Sequence, residues 1–195
     1  MVMFKLPRTD GGSSLFGIYY KGVASAHPLH QEGYAEHLIP LVIERCDKQY
    51  LLPRGGANTS MQKKRVALLG CGAVGGFLAL ELIRTGLRDL TLVDHEKLTL
   101  DNVYRHELGK GMVGTYKVLA LKQEIERKVP YTNIIPIPDQ AETAIESGRL
   151  KPGRFDLIII AIGDETACLY LNELIRSRRP YPPIIFSWLE PYGIG

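Results

Sequence analysis

Cysteine is scarce in this chain. Its 195 residues hold three, Cys46, Cys71 and Cys168, odd in number and far apart, which excludes a disulfide framework and a CxxC metal ribbon. Long apolar runs are missing as well: the longest, Leu157 to Ile162, falls far short of the ~20 residues that a membrane span needs. The opening MVMFKLPRTDGG has neither a long apolar core nor a small-residue cleavage site, so no secretory leader is expected. With its thiols reduced, the expected compartment is the cytoplasm. There is no strong surplus of one charge either. Lys plus Arg total 24 against 21 Asp plus Glu, a formal +3 with no basic stripe, so neither nucleic acid nor membrane is an expected partner. What remains is an ordinary globular composition, 45% hydrophobic and 23% charged, long enough at roughly 150 residues per domain for one domain and a remainder.

The text changes character near Lys63. Before it the sequence is irregular: Gly11-Gly12-Ser13-Ser14, a predicted strand Leu15 to Tyr20, a His-dotted stretch to His37, a short apolar segment Leu38 to Ile43, and the turn-rich Pro53-Arg54-Gly55-Gly56. Residues 1–62 read as a lead-in, the tail of a preceding domain, and 63–195 as the main domain. From Lys64 strands and helices alternate. Val66 to Leu69, Leu90 to Val93, Ile134 to Ile137, Leu157 to Ile162 and Ile184 to Ser187 read as strands. Between them lie a helix from Val74 to Leu82 stopped by Gly86, a helix Val118 to Val129 stopped by Pro130, a short helix Ala141 to Glu146, and a helix Thr166 to Ser177. That alternation predicts an α/β fold with a doubly wound, mainly parallel sheet. The apolar, glycine-bearing end Trp188 to Gly195 reads as a cut, so the chain is expected to be a segment of a longer protein.

Gly70-Cys71-Gly72-Ala73-Val74-Gly75 sits between a predicted strand and a predicted helix. The first glycine permits a tight turn, the second lets phosphate approach the backbone, and the third allows close helix packing. The helix start offers unpaired N–H groups to an anion. Asp94 follows 94 − 75 = 19 residues later, at the end of the second strand, where a carboxylate accepts ribose hydroxyls. These features imply a nucleotide without saying which. Further charges sit at other strand ends: Asn102 and Arg105 in the loop Asp101 to His106, Lys117 at a helix start, and Asp164 after the buried strand. Two cations and a second carboxylate over one crevice suit a triphosphate with magnesium better than a nicotinamide. Read singly, Arg105 is also a solvated loop residue, Lys117 an exposed helix residue and Asp164 a plain N-cap.

Five motifs in order carry a resemblance over about Arg65 to Gly195: Gly70 to Gly76, Leu92-Val93-Asp94, Asn102-x-x-Arg105, Gly114-x-x-Lys117 and Gly163-Asp164. The chain resembles the adenylation domain of ubiquitin-activating enzymes and their bacterial relatives ThiF and MoeB. The resemblance implies ATP and Mg2+ as cofactors. The turn (Gly70, Gly72, Ala73, Val74, Gly75) and Asp94 would hold the nucleotide, with Asp94 on the ribose. Asn102, Arg105 and Lys117 would hold the phosphates and Asp164 the magnesium. It implies attack by the C-terminal carboxylate of a small protein on the α-phosphate, and a homodimer in which an upstream arginine, Arg54 or Arg45, completes the partner's site.

Two features depart from the common pattern. Arg105 is followed by His106 where Gln is usual. With Arg45-x-Asp47 and Arg54-Gly55-Gly56 upstream, that form is most similar to the activating half of bacterial conjugating–activating enzyme fusions, including those of CBASS antiphage operons. The implied protein substrate is then ubiquitin-like or a cGAS-like nucleotidyltransferase. The second departure is the missing thioester cysteine, expected beyond Gly195; none of the three cysteines is assigned that role. The competing expectations are an NAD-dependent oxidoreductase domain and an inactive adenylation fold kept for dimerisation.

Overall fold

The computed structural model describes residues 1–24 and 26–189, in two compact units, Met1–Leu51 and Leu52–Gly195. The first unit is a three-stranded antiparallel sheet of β1 (Val2–Pro7), β2 (Ser13–Ala24) and β3 (Tyr34–Leu41), in the order β1-β2-β3. A tight turn joins β1 to β2. Gly11 takes φ +78° there, and Asp10 accepts the Gly12 N–H at 2.8 Å while pairing with Arg8. Helix α1 (Lys48–Arg54) follows, its start held by Asp47, which accepts the Tyr50 N–H at 3.1 Å.

This region is therefore more regular than its sequence suggests. The expected strand Leu15 to Tyr20 lies within the longer β2, β1 has no counterpart among the expected elements, and Arg54 closes a helix rather than sitting in a turn. The compact units divide within α1, between Leu51 and Leu52, whereas the change in sequence pattern falls near Lys63.

The second unit is a doubly wound α/β fold. Its sheet has five parallel strands: β4 (Arg65–Leu69), β5 (Asp89–Val93), β6 (Asn133–Ile137), β7 (Leu157–Ile160) and β8 (Ile184–Phe186), in the order β6-β5-β4-β7-β8. The helices are α2 (Ala73–Arg84), α3 (Lys117–Lys128), α4 (Ala141–Glu146) and α5 (Glu165–Ser177). The strands and helices expected from the alternation are all present. The strand expected over Leu157 to Ile162 stops at Ile160, and Asn102 and Arg105 lie on a 3-10 helix, Leu100–Arg105, rather than in an open loop.

Both faces of this sheet are covered, which is why its strands read as unbroken apolar runs. Alternate residues feed two cores. Val66, Leu68, Leu90, Leu92 and Ile159 pack with Leu80, Ile83, Leu121 and Ile125 of α2 and α3. Ala67, Leu69, Val93, Ile158 and Ile160 pack on the other side with Ile145, Leu171 and Ile175 of α4 and α5. From β4 the chain winds outward through β5 and β6, then returns to the other side of β4 as β7. The strand order reverses between β4 and β7, and a crevice at the carboxyl ends of strands is where such sheets bind ligands. Residues 190–195, which include most of the apolar end from Trp188, lie outside the described residues.

Candidate functional site

The turn after β4 stands at that reversal. Gly70 has φ +90°, a left-handed conformation, and a Cβ there would meet the Ala161 carbonyl of the strand-end opposite at 2.6 Å. At Gly75 a Cβ would fall 2.0 Å from the Gly70 carbonyl, so only glycine lets α2 begin this close to the turn. Gly72, the N-cap of α2, differs: a Cβ there would meet nothing within 4 Å. The second glycine thus faces open space, and that leaves its backbone approachable by an anion.

Asp94, half-buried just past β5, is the acid of this crevice. One oxygen accepts the Cys71 N–H at 2.7 Å and the other the Glu96 N–H at 2.7 Å. These bonds fix the carboxylate's orientation and shape the turn, while each oxygen retains a lone pair. Cys71 is fully buried, and burial together with the Asp94 charge pushes its thiol well above the usual range. It is a packed thiol, not a nucleophile.

Lys117 opens α3 and is buried, unlike the exposed helix lysine that a local reading allows. Its ammonium pairs with the Glu96 carboxylate, which Lys117 holds below the ordinary glutamate range. Its backbone N–H reaches the Glu96 carbonyl at 2.9 Å, and Lys97 bridges to Tyr116 beside it. Glu96, two residues beyond Asp94, stands outside the motifs legible in the sequence. Asn102 is buried with its amide on Asp101 at 3.1 Å, and Arg105 is exposed at the end of the same 3-10 helix.

Asp164 is the N-cap of α5, accepting the Ala167 N–H through Oδ1 at 2.8 Å, and is exposed. The local reading of a cap is thus correct, and Oδ2 takes no part in that bond. No three His, Cys, Asp or Glu side chains among the described residues are grouped to hold a metal. Magnesium characteristically takes one or two carboxylates, with phosphate oxygens and water for the rest. Asp164 fits a metal that arrives with a triphosphate rather than a resident ion. A cavity of about 410 Å³ opens beside Gly163, between Ile162, Cys168, Phe186 and Trp188. The Cys168 thiol donates to the Ile162 carbonyl at 3.2 Å, and burial raises its pKa.

The hydrogen bonds so far join the glycine turn, Asp94, Glu96 and Lys117 into one cluster. None of them includes Arg54 or Arg45. Arg45 spends its guanidinium within the first unit: Nε and Nη2 on Asp47 at 2.8 and 3.0 Å, Nη1 on the Ser13 carbonyl at 3.1 Å, and its plane over the Tyr50 ring at 4.5 Å.

The ThiF family model matches residues 47–183. This chain belongs to the ThiF family. Among relatives of this ThiF domain is the ATP-dependent ubiquitin transferase-like protein Cap2 of Pseudomonas aeruginosa, 30% identical over 82% of the chain and 29% of that protein. Another is ubiquitin-like modifier-activating enzyme 5 of Drosophila simulans, 27% identical over 67% of the chain and 33% of that protein. In structure it is similar to the Escherichia coli tRNA threonylcarbamoyladenosine dehydratase TcdA solved with AMP, at TM-score 0.57 and 19% identity, over 66% of this chain and 51% of that one. The chain thus spans about a third or less of the length of these two sequence relatives. No helix among the described residues is long and apolar enough to cross a membrane.

Proposed function

We propose that this ThiF domain is the ATP-binding adenylation part of a larger ubiquitin-activating-like enzyme. It would activate the C-terminal carboxylate of a ubiquitin-like protein or a cGAS-like nucleotidyltransferase in the cytoplasm. The carrying observation is the gathering of opposite charges at one strand-order reversal: an open glycine turn fixed by Asp94, with a buried Lys117, held by Glu96, beside it. A nicotinamide site needs the turn and the acid but uses no buried cation, and would leave Lys117 with its Glu96 pair alone. The ATP dependence in the Cap2 relative's name and the AMP in the TcdA structure support the same choice.

In this reading Asp94 takes the ribose, and the backbone around Gly72 takes phosphate. Asn102, Arg105 and Lys117 neutralise the chain of phosphates. Asp164 would hold Mg2+, which supplies further charge neutralisation on the leaving pyrophosphate when bound. A carboxylate oxygen of the protein substrate forms a bond to the α-phosphorus, the bond to the β-phosphate oxygen breaks, and pyrophosphate leaves. No side-chain nucleophile is required, so positioning and charge carry the step. Arg54 of a second copy would complete the phosphate site in a homodimer.

The decisive test uses Lys117→Met, which keeps the buried stem, and Asp164→Asn, which keeps the α5 cap but loses the charge. Both are expected to fold, Lys117→Met within about 1 kcal/mol of the parent for the lost Glu96 pair, and to lose ATP-dependent pyrophosphate release. Release at the parent rate from either folded variant rejects the assignment, and thermal stabilisation by NAD but not MgATP selects the oxidoreductase. Mixing inactive Arg54→Ala and Asp164→Asn copies should restore activity if the arginine crosses between subunits; no recovery in verified mixed dimers places Arg54 in its own subunit or in no role.

A further inference from the structure

His106 directly follows Arg105, yet the adenylation reading gives it nothing to do. Its ring is half-buried, and main chain occupies both nitrogens. The Leu108 N–H lies 3.1 Å from Nδ1, so Nδ1 accepts and carries no proton. Nε2 therefore holds the ring proton and donates it to the Cys71 carbonyl at 2.7 Å. The ring edge rests on α2 at Gly76, where a Cβ would come within 3.1 Å of Cε1. One imidazole thus fastens the segment bearing Asn102 and Arg105 to the glycine turn, 35 residues earlier in the chain.

We propose that His106 is a positioning residue: as the neutral Nε2–H tautomer it locks the Arg105 segment onto the glycine turn, and protonation of the ring opens that lock. The consequence for nucleotide affinity rests on the adenylation reading; the lock does not. A second ring proton places an N–H on Nδ1, facing the Leu108 N–H. Two donors then oppose one another and one bond is lost. The ring is faced by the Cys71 carbonyl of the turn, Asp94 beyond β5, Lys117 at the start of α3 and Glu107 of its own segment. Burial is the largest influence and disfavours the charged ring, as does Lys117, while the Cys71 carbonyl, Asp94 and Glu107 favour it. Burial prevails, so the ring titrates below the ordinary histidine value and is neutral at neutral pH. The stability the lock contributes is complete above that ordinary value, and it is lost as pH falls toward the ring's own lower one.

Nitrogen-15 NMR of the full chain reads the lock without any nucleotide. The expected result is an Nε2–H pattern for His106 at neutral pH, with the Leu108 and Gly72 amide signals shifting in step with the ring as it titrates. An Nδ1–H pattern, or a Leu108 amide indifferent to that titration, overturns the proposal. Two variants then couple the lock to binding. His106→Gln keeps a donor and an acceptor on one carboxamide, and is expected to hold MgATP affinity within about twofold of the parent while losing the decline at acid pH. His106→Phe keeps neither and is expected to weaken MgATP by about tenfold, the net worth of one or two hydrogen bonds. A folded His106→Phe with parent affinity, or a His106→Gln that retains the acid decline, also overturns the proposal. A parent chain that shows the lock but does not bind MgATP rejects the adenylation reading and leaves the lock standing.

Discussion

The two compact units bury themselves to very different degrees. Among the described residues of Met1–Leu51 only Gly17 is buried, and Phe16, Leu38 and Ile39 are substantially exposed. In Leu52–Gly195 four of the five residues of β4 are buried, and the parallel sheet is covered on both faces. A single antiparallel layer has no second layer to exclude water from its apolar side, whereas a sheet between helices excludes it twice. Asp94, Lys117 and Asp164 border the sheet with the double burial, whereas Arg54 ends α1, a helix with no buried residue. Packed strand ends and helix starts hold the turn, Asp94, Lys117 and Asp164, which a one-layer sheet would not do.

The sharpest way to break that comparison is to show that site and core are separable. At the third glycine of the turn they are not. Gly75→Val would force a side chain into the Gly70 carbonyl, and is expected to cost on the order of 4–5 kcal/mol, enough to abolish the thermal transition. Gly72→Ala enters open space and is expected to stay within about 0.5 kcal/mol of the parent while losing nucleotide affinity by calorimetry. Equal damage from both would mean that the second glycine is structural too.

One step smaller is the interior itself. Leu68 is fully buried, in register between Leu92 of β5 and Ile159 of β7. Leu68→Ala should cost about 3 kcal/mol through lost transfer energy and the cavity left behind. A urea midpoint reads this directly; a loss under about 1 kcal/mol would show a core able to collapse around the gap.

How much of this was legible in the sequence follows the same division. The second unit could be read because its strands are apolar runs ended by Gly70, Asp94 and Gly163, and its helices are stopped by Gly86 and Pro130. In the first unit, β1 is an edge strand carrying Lys5 and Pro7, with a weak alternation that no buried face enforces. Helix α1 holds Pro53 next to Gly55-Gly56, which reads as a turn because proline and glycine outweigh seven residues of helix. At the site, the residue types were visible and their partners were not. Glu96 meets Lys117 across 21 residues through a tertiary contact that no local spacing encodes. Arg45 is the opposite case: Asp47 lies only two residues away, and their pairing was there to be read.

The Glu96–Lys117 pair yields a smaller effect, and one that pH exposes. Lys117 lowers the Glu96 pKa, so the pair contributes at neutral pH and is lost as pH falls through the lowered value. Glu96 is 56% exposed, which limits its worth to about 1 kcal/mol or less. Glu96→Gln should therefore lower the neutral-pH midpoint slightly and converge with the parent in acid. A gap between the two that widens in acid would show that Lys117 draws its compensation from another group.

The smallest effect is expected in the first unit, and it tests the comparison from its weak side. Phe16 of β2 stands opposite Phe4 of β1, their ring centroids 6.2 Å apart, and Phe16 keeps 41% of its surface exposed. A buried phenylalanine truncated to alanine typically costs about 3–5 kcal/mol, but a half-exposed cross-strand pair contributes only about 0.2–1 kcal/mol. Phe16→Ala should then loosen β2 by less than about 1 kcal/mol in amide hydrogen exchange, with the α/β unit unmoved. A loss near 3 kcal/mol would mean that this face is covered when the protein is whole. The contrast between a bare layer and a buried one would then belong to the isolated chain alone.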